Sequence, residues 1–129
     1  MDSTTIIKKF NTLANSFLVQ LSPLVGTTYL YYFKKLCKYN AIAPINYFVE
    51  NIYQYKQKIV NKDENYFKNN EEVIENHNSD DFKLKQIFKL RGIYDKIDDK
   101  FKNNTWKYLQ ALIGLTEEYI IIKKPNTHI

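Results

Sequence analysis

The sequence predicts an all-α fold, a compact single-domain bundle of five to six helices over residues 1–129. Three observations predict it. Apolar residues recur every three or four positions through most of the chain, the spacing that lines one face of an α-helix. Side chains able to cap a helix N-terminus stand just ahead of several of these stripes. Glycine and proline number only three each, and no run alternates convincingly as a half-buried strand does. The length suits one domain with one core. Hydrophobic residues make up 44% of the chain and aromatics 16%, apolar surface enough to offset chain entropy, which argues against a disordered protein.

The first helix starts at Asp2 or Ser3 and carries Ile6, Phe10, Leu13, Phe17 and Leu21 on one face, with Ile7, Ala14 and Leu18 beside them. Ser22-Pro23 is expected to end it, because proline disfavours a helical residue before it. Gly26 adds a second break. Helix two runs from about Thr27 to Tyr39 on a stripe of Leu30, Phe33 and Cys37, with Leu36 nearby. Cys37 reads there as a small core residue. Ala43-Pro44 opens helix three, with proline in its first turn. Ile45, Phe48, Val49, Ile52 and Tyr55 carry it to Gln57 or beyond.

Asp63 caps a short helix, Glu64 to Phe67, that folds Tyr66 and Phe67 back onto the core. Residues 68–79 are rich in Asn and Glu and read as an acidic polar loop, with at most one turn around Val73-Ile74. Ser79 or Asp80 caps a helix striped by Ile87, Leu90, Tyr94 and Ile97. Asp98 or Asp99 caps the last helix, whose face is Phe101, Thr105, Leu109, Leu112, Thr116 and Ile120, with Trp106 and Ile113 adjacent. The run Tyr119 to Ile122 finishes that helix, and Lys123-Lys124 and Pro125 close it. There is no internal repeat and no long linker.

Charge is uneven. The net charge is +5, but Met1 to Lys62 holds eight lysines against Asp2 and Glu50. Asp63 to Asp81 holds seven carboxylates against Lys68. Ten basic residues face five acids from Phe82 onward. Such asymmetry marks either a polyanion contact or a solvated surface. Lys, Asn, Ile, Tyr and Phe dominate the composition, and Arg91 is the single arginine. These residues share A/T-rich codons, so part of the lysine content is a habit of genome composition.

Catalytic grammar is missing. Glycines are too few for a phosphate-cradling loop, and no nucleophile sits beside a base in a known motif. The acid pairs Glu71-Glu72, Asp80-Asp81, Asp98-Asp99 and Glu117-Glu118 are adjacent in sequence; neighbours on a helix do not face each other. His77 near Asp80 offers a dyad only in a polar, solvated loop. His77 and His128 lie far apart with no cysteine beside them, so no zinc site is expected. One cysteine makes no internal disulfide. No enzyme activity, cofactor or metal is expected. Between Lys9 and Lys34 lie 24 uncharged residues, long enough to span a bilayer. They include Asn11, Asn15, Gln20, Pro23 and Gly26, which suit two amphipathic helices better, so neither a signal peptide nor a transmembrane segment is expected.

Two binding readings remain. Lys34, Lys35 and Lys38 on helix two, with Lys56, Lys58 and Lys62, are candidate nucleic-acid-binding residues, since lysines neutralise phosphates and exposed tyrosines stack on bases. The scarcity of arginine and the acidic stretch oppose this. The other reading is protein interaction. Eleven tyrosines are hard to bury in one small core, and tyrosine and tryptophan are favoured interface anchors.

The runs INYFVENIYQYKQKIVNKDENYF (Ile45 to Phe67) and IDDKFKNNTWKYLQALIGLTEEY (Ile97 to Tyr119) resemble segments of a family of small helical proteins of giant nucleocytoplasmic large DNA viruses. Asp63, Glu64, Tyr66 and Phe67 match its acidic-aromatic step, and Trp106 and Tyr119 match its C-terminal helix. The resemblance covers about Phe10 to Tyr119. It departs at Leu21-Ser22-Pro23, where relatives often carry Phe-Pro, and at Thr105, a position that is usually apolar in them. The family has no established activity. The resemblance implies a viral accessory or structural protein, in the host-cell cytoplasm or the virion, acting by protein–protein interaction or self-association. Asp63, Glu64 and Trp106 are then candidate partner-binding residues at the edge of a groove.

Overall fold

The computed structural model describes residues 1–69 and 98–123. The fold is all-α, and no strand occurs among the described residues. The acidic loop from residue 70 onward, the helix expected after its cap at Ser79 or Asp80, His77 and His128 lie outside them.

Helix α1 (Ser3–Val25) is capped by Asp2, whose Oδ1 accepts the Thr5 N–H at 2.8 Å. It buries Ile6, Phe10, Ala14, Leu18 and Leu21, residues one helical turn apart along one face. The helix runs through Pro23 and stops at Val25, where the sequence placed its end at Ser22-Pro23. Proline there removes a bond only to the carbonyl of Val19, a residue 47% exposed and open to water. The real stop is Gly26, whose φ of +83° a side chain would resist. Its N–H bonds Ser22 O at 2.8 Å.

Helix α2 (Thr28–Tyr39) turns back along α1. Phe33 is buried, and Leu30, Leu36 and Cys37 are half-buried against the core, the expected stripe. The Asn11 Nδ2 donates to Ala41 O at 2.9 Å, tying the first half of α1 to the end of α2.

The third helix differs from expectation. Helix α3 (Ala43–Tyr47) opens on Pro44 as predicted. It then widens into a π-turn (Phe48–Ile52), tightens into a 3₁₀ turn (Tyr53–Tyr55) and resumes as α4 (Lys56–Val60). The widened turn brings Asn51 inside, 5% exposed. Its amide donates to Tyr47 O at 3.2 Å, so the buried polar group is paired locally. The buried face keeps the expected Phe48, Ile52 and Tyr55, extends to Ile59, and adds Tyr47 and Asn51, while Val49 is half-buried. Phe48 meets Phe10 edge to face, ring centres 5.0 Å apart.

Lys62, at φ +53°, ends α4. Its N–H bonds Ile59 O at 3.1 Å, and the Asp63 N–H bonds Lys58 O at 2.8 Å, the paired closure of a left-handed helix stop. Asp63 then caps α5 (Glu64–Asn69) through a 3.0 Å bond from the Tyr66 N–H. The helix reaches Asn69, two residues past its expected end.

Helix α6 (Asp99–Lys123) starts on Asp98, whose Oδ1 accepts the Phe101 N–H at 2.8 Å. It packs along α1, and also on α4 and the π-turn. That double contact buries Trp106, Leu112, Ile113, Thr116 and Tyr119. The expected stripe residues Phe101, Thr105, Leu109 and Ile120 are only half-buried. Gln110 Nε2 donates to Ile59 O and Val60 O at 3.3 and 3.1 Å, satisfying carbonyls at the end of α4. No helix among the described residues is long and apolar enough to cross a membrane.

Candidate functional site

Burial separates the tyrosines. Tyr47, Tyr55 and Tyr119 lie in the core, and Tyr29, Tyr53, Tyr66 and Tyr108 are half-buried. The exposed ones among the described residues, Tyr31, Tyr32 and Tyr39, all belong to α2. Tyr31 is 62% exposed and Tyr39 is 75% exposed. The Tyr31 and Tyr32 rings meet edge to face at 5.9 Å. Lys34, Lys35 and Lys38 stand exposed between them, and Ile42 follows, 40% exposed. Opposite this flank Leu30, Phe33, Leu36 and Cys37 hold the helix on the core. One amphipathic helix thus spends its apolar stripe on the fold and turns tyrosines and lysines outward.

The second lysine cluster has another fate. Lys56 Nζ forms an ion pair with Glu117 of α6. The same carboxylate accepts the Tyr53 hydroxyl at 2.8 Å. Lys56, then Tyr53, holds the Glu117 carboxyl below its ordinary range. In return the hydrogen bond to Glu117 raises the Lys56 ammonium and the Tyr53 phenol. Lys58 lies 3.6 Å from Asp63 Oδ2 and 4.9 Å from the centre of the Tyr66 ring, an ion pair and a cation–π contact together. Lys62 is exposed and serves as the left-handed stop of α4. α2 rests on α1 and α3, whereas α4 rests on α6.

The three residues expected at a groove edge do not gather as one surface. Trp106 is 7% exposed and belongs to the core cluster. So covered, the indole anchors the fold and presents no edge to a partner. Asp63 is engaged as cap of α5 and partner of Lys58. Glu64 is half-buried in the first turn of α5. Cys37 is half-buried, and burial pushes its thiol up to about 11, away from the range of a reactive thiolate.

Sequence reasoning passed over Lys8 and Lys9, exposed near the start of α1. The Asn11–Ala41 bond brings that start to the same end of the helix pair as Lys38 and Tyr39. A signal was available, because no carboxylate occurs between Asp2 and Glu50. Among the described residues no three His, Cys, Asp or Glu side chains gather as metal ligands. Neither a protein-family model, nor a curated protein, nor a solved structure matches the chain.

Proposed function

We propose that this chain is a small interaction protein, a viral accessory or structural component without catalytic activity, that binds another protein through the outward flank of α2. The observation that carries the reading is the grouping of the exposed tyrosines Tyr31, Tyr32 and Tyr39 on one helix, next to Ile42. Where it is buried, at Tyr47, Tyr55 and Tyr119, tyrosine is a core residue. Collected on one flank, it supplies large apolar area with a polar tip and little side-chain entropy to lose, the chemistry of interface anchors. The three exposed tyrosines stand on a formed α-helix packed on α1, so little backbone ordering is needed on binding.

Nucleic-acid binding is the second reading, supported by Lys34, Lys35 and Lys38 between those tyrosines. It draws less from Lys56 and Lys58, whose charges are matched within the fold.

The test is site-specific photocrosslinking in the cells that make the chain. A benzophenone amino acid at Tyr39 is expected to trap a discrete protein, and one at exposed Lys107 on α6 is not. Equal labelling from both positions, or none from Tyr39, contradicts the reading.

A further inference from the structure

We infer that the partner presents a carboxylate-rich segment to the end of the α1–α2 pair; this rests on the protein-binding reading of the α2 flank. Three observations converge. The first is the sign of the charge. Neither α1 nor α2 contains a carboxylate, and no residue from Ser3 to Val49 is acidic. The second is placement. The Asn11–Ala41 hydrogen bond sets Lys8 and Lys9 at the end of the pair where Lys38 stands, and Lys34 and Lys35 follow about one turn further along α2, all five exposed. Asp2, the one carboxylate close by in sequence, is engaged as helix cap, and its bond from Thr5 N–H holds its carboxyl low. The third is the mixture. Tyr39 adjoins Lys38 on α2 and Ile42 follows the helix end, 75% and 40% exposed, so charge and apolar area are offered together.

A surface of one sign is completed by a partner of the other, which steers encounter and fixes register. The dimensions favour a polypeptide. Lys34 and Lys38 are one turn apart, about 6 Å along the axis, and Tyr31 to Tyr39 covers about 12 Å. That is the flank of a three-turn helix, suited to a few carboxylates on one partner element. A nucleic-acid strand is followed by a longer basic groove, and the other candidate lysines Lys56 and Lys58 are paired with Glu117 and Asp63.

The test is an NMR titration of the full chain with poly-L-glutamate, with oligothymidylate and with phosphatidylserine vesicles, at matched anionic charge and near-physiological salt. Poly-L-glutamate is expected to shift the amides of Lys8, Lys9 and the α2 flank. The triple variant Lys34→Glu, Lys35→Glu, Lys38→Glu is expected to weaken that binding at least about tenfold with an unchanged spectrum elsewhere. Tighter binding of oligothymidylate or of vesicles overturns the inference, as do shifts centred elsewhere or no shift at all. Crosslinking from Tyr39 keeps the two levels apart. A protein adduct that survives the triple charge reversal refutes the acidic partner and leaves the protein interface standing. Loss of the adduct on reversal, together with poly-L-glutamate binding, supports both.

Discussion

Two groups of lysines, two on α4 and three on α2, behave in opposite ways. Lys56 and Lys58 are drawn into the fold by Glu117 and Asp63, with Tyr53 and Tyr66 completing each contact. Lys34, Lys35 and Lys38 stand on a helix that has no acid of its own, beside a helix that has none either. The difference lies in the neighbours. A lysine becomes a fold residue where packing delivers a carboxylate within reach, and remains a surface residue where it does not. The Glu117 that claims Lys56 comes from α6, 61 positions away, so this sorting happens in tertiary structure.

The comparison breaks first at Trp106. If it belongs to the fold and not to a partner surface, Trp106→Ala removes a buried indole and costs about 3–5 kcal/mol, read as a large loss in urea or thermal unfolding. A loss below about 1 kcal/mol contradicts its burial.

The fold-side cluster is sharpened by pH. The Glu117 carboxyl is lowered in the folded state, so its stabilisation is present above the ordinary carboxylate value and is lost as pH falls through the lowered one. Lys56 is raised, so its share is present at neutral pH and is lost only in strong alkali. Glu117→Gln is therefore expected to lower the melting temperature by a constant amount between roughly pH 5 and pH 9. Below that window the gap from wild type closes. A gap that persists in acid means the pair contributes nothing through charge.

Lys62 gives a smaller and opposite effect. It holds a left-handed conformation that glycine takes without cost. Lys62→Gly is expected to stabilise by about 0.5–1 kcal/mol, which equilibrium unfolding resolves. The smallest stability effect belongs to the other region. Tyr39→Ala, at 75% exposed, should change stability by less than about 0.5 kcal/mol while reducing binding at the α2 flank.

The helices were largely legible in the sequence because their determinants are local. Asp2, Asp63 and Asp98 accept the N–H bonds that capping predicts, and Pro44 opens α3. Where local rules met tertiary demand, they gave way. Pro23 stays helical because only one solvent-facing bond is lost. The π-turn at Phe48–Ile52 and the burial of Tyr47 and Asn51 beside the expected stripe are announced by no spacing rule. The candidate site was legible only in part. Lys34, Lys35 and Lys38 were read from the chain as charge on an amphipathic helix, and they are exposed. The matching of Lys56 by Glu117, the burial of Trp106 and the approach of Lys8 and Lys9 depend on contacts between distant segments.

We propose that the α2 lysines serve binding, whereas the α4 lysines are matched within the fold. The most direct test compares Lys34→Glu, Lys35→Glu, Lys38→Glu with Lys56→Glu, Lys58→Glu, scoring each for thermal melting and for poly-L-glutamate binding. The first variant is predicted to melt with wild type and lose binding, and the second to melt lower and keep it. The reverse pattern, or equal loss of binding in both, would contradict the claim.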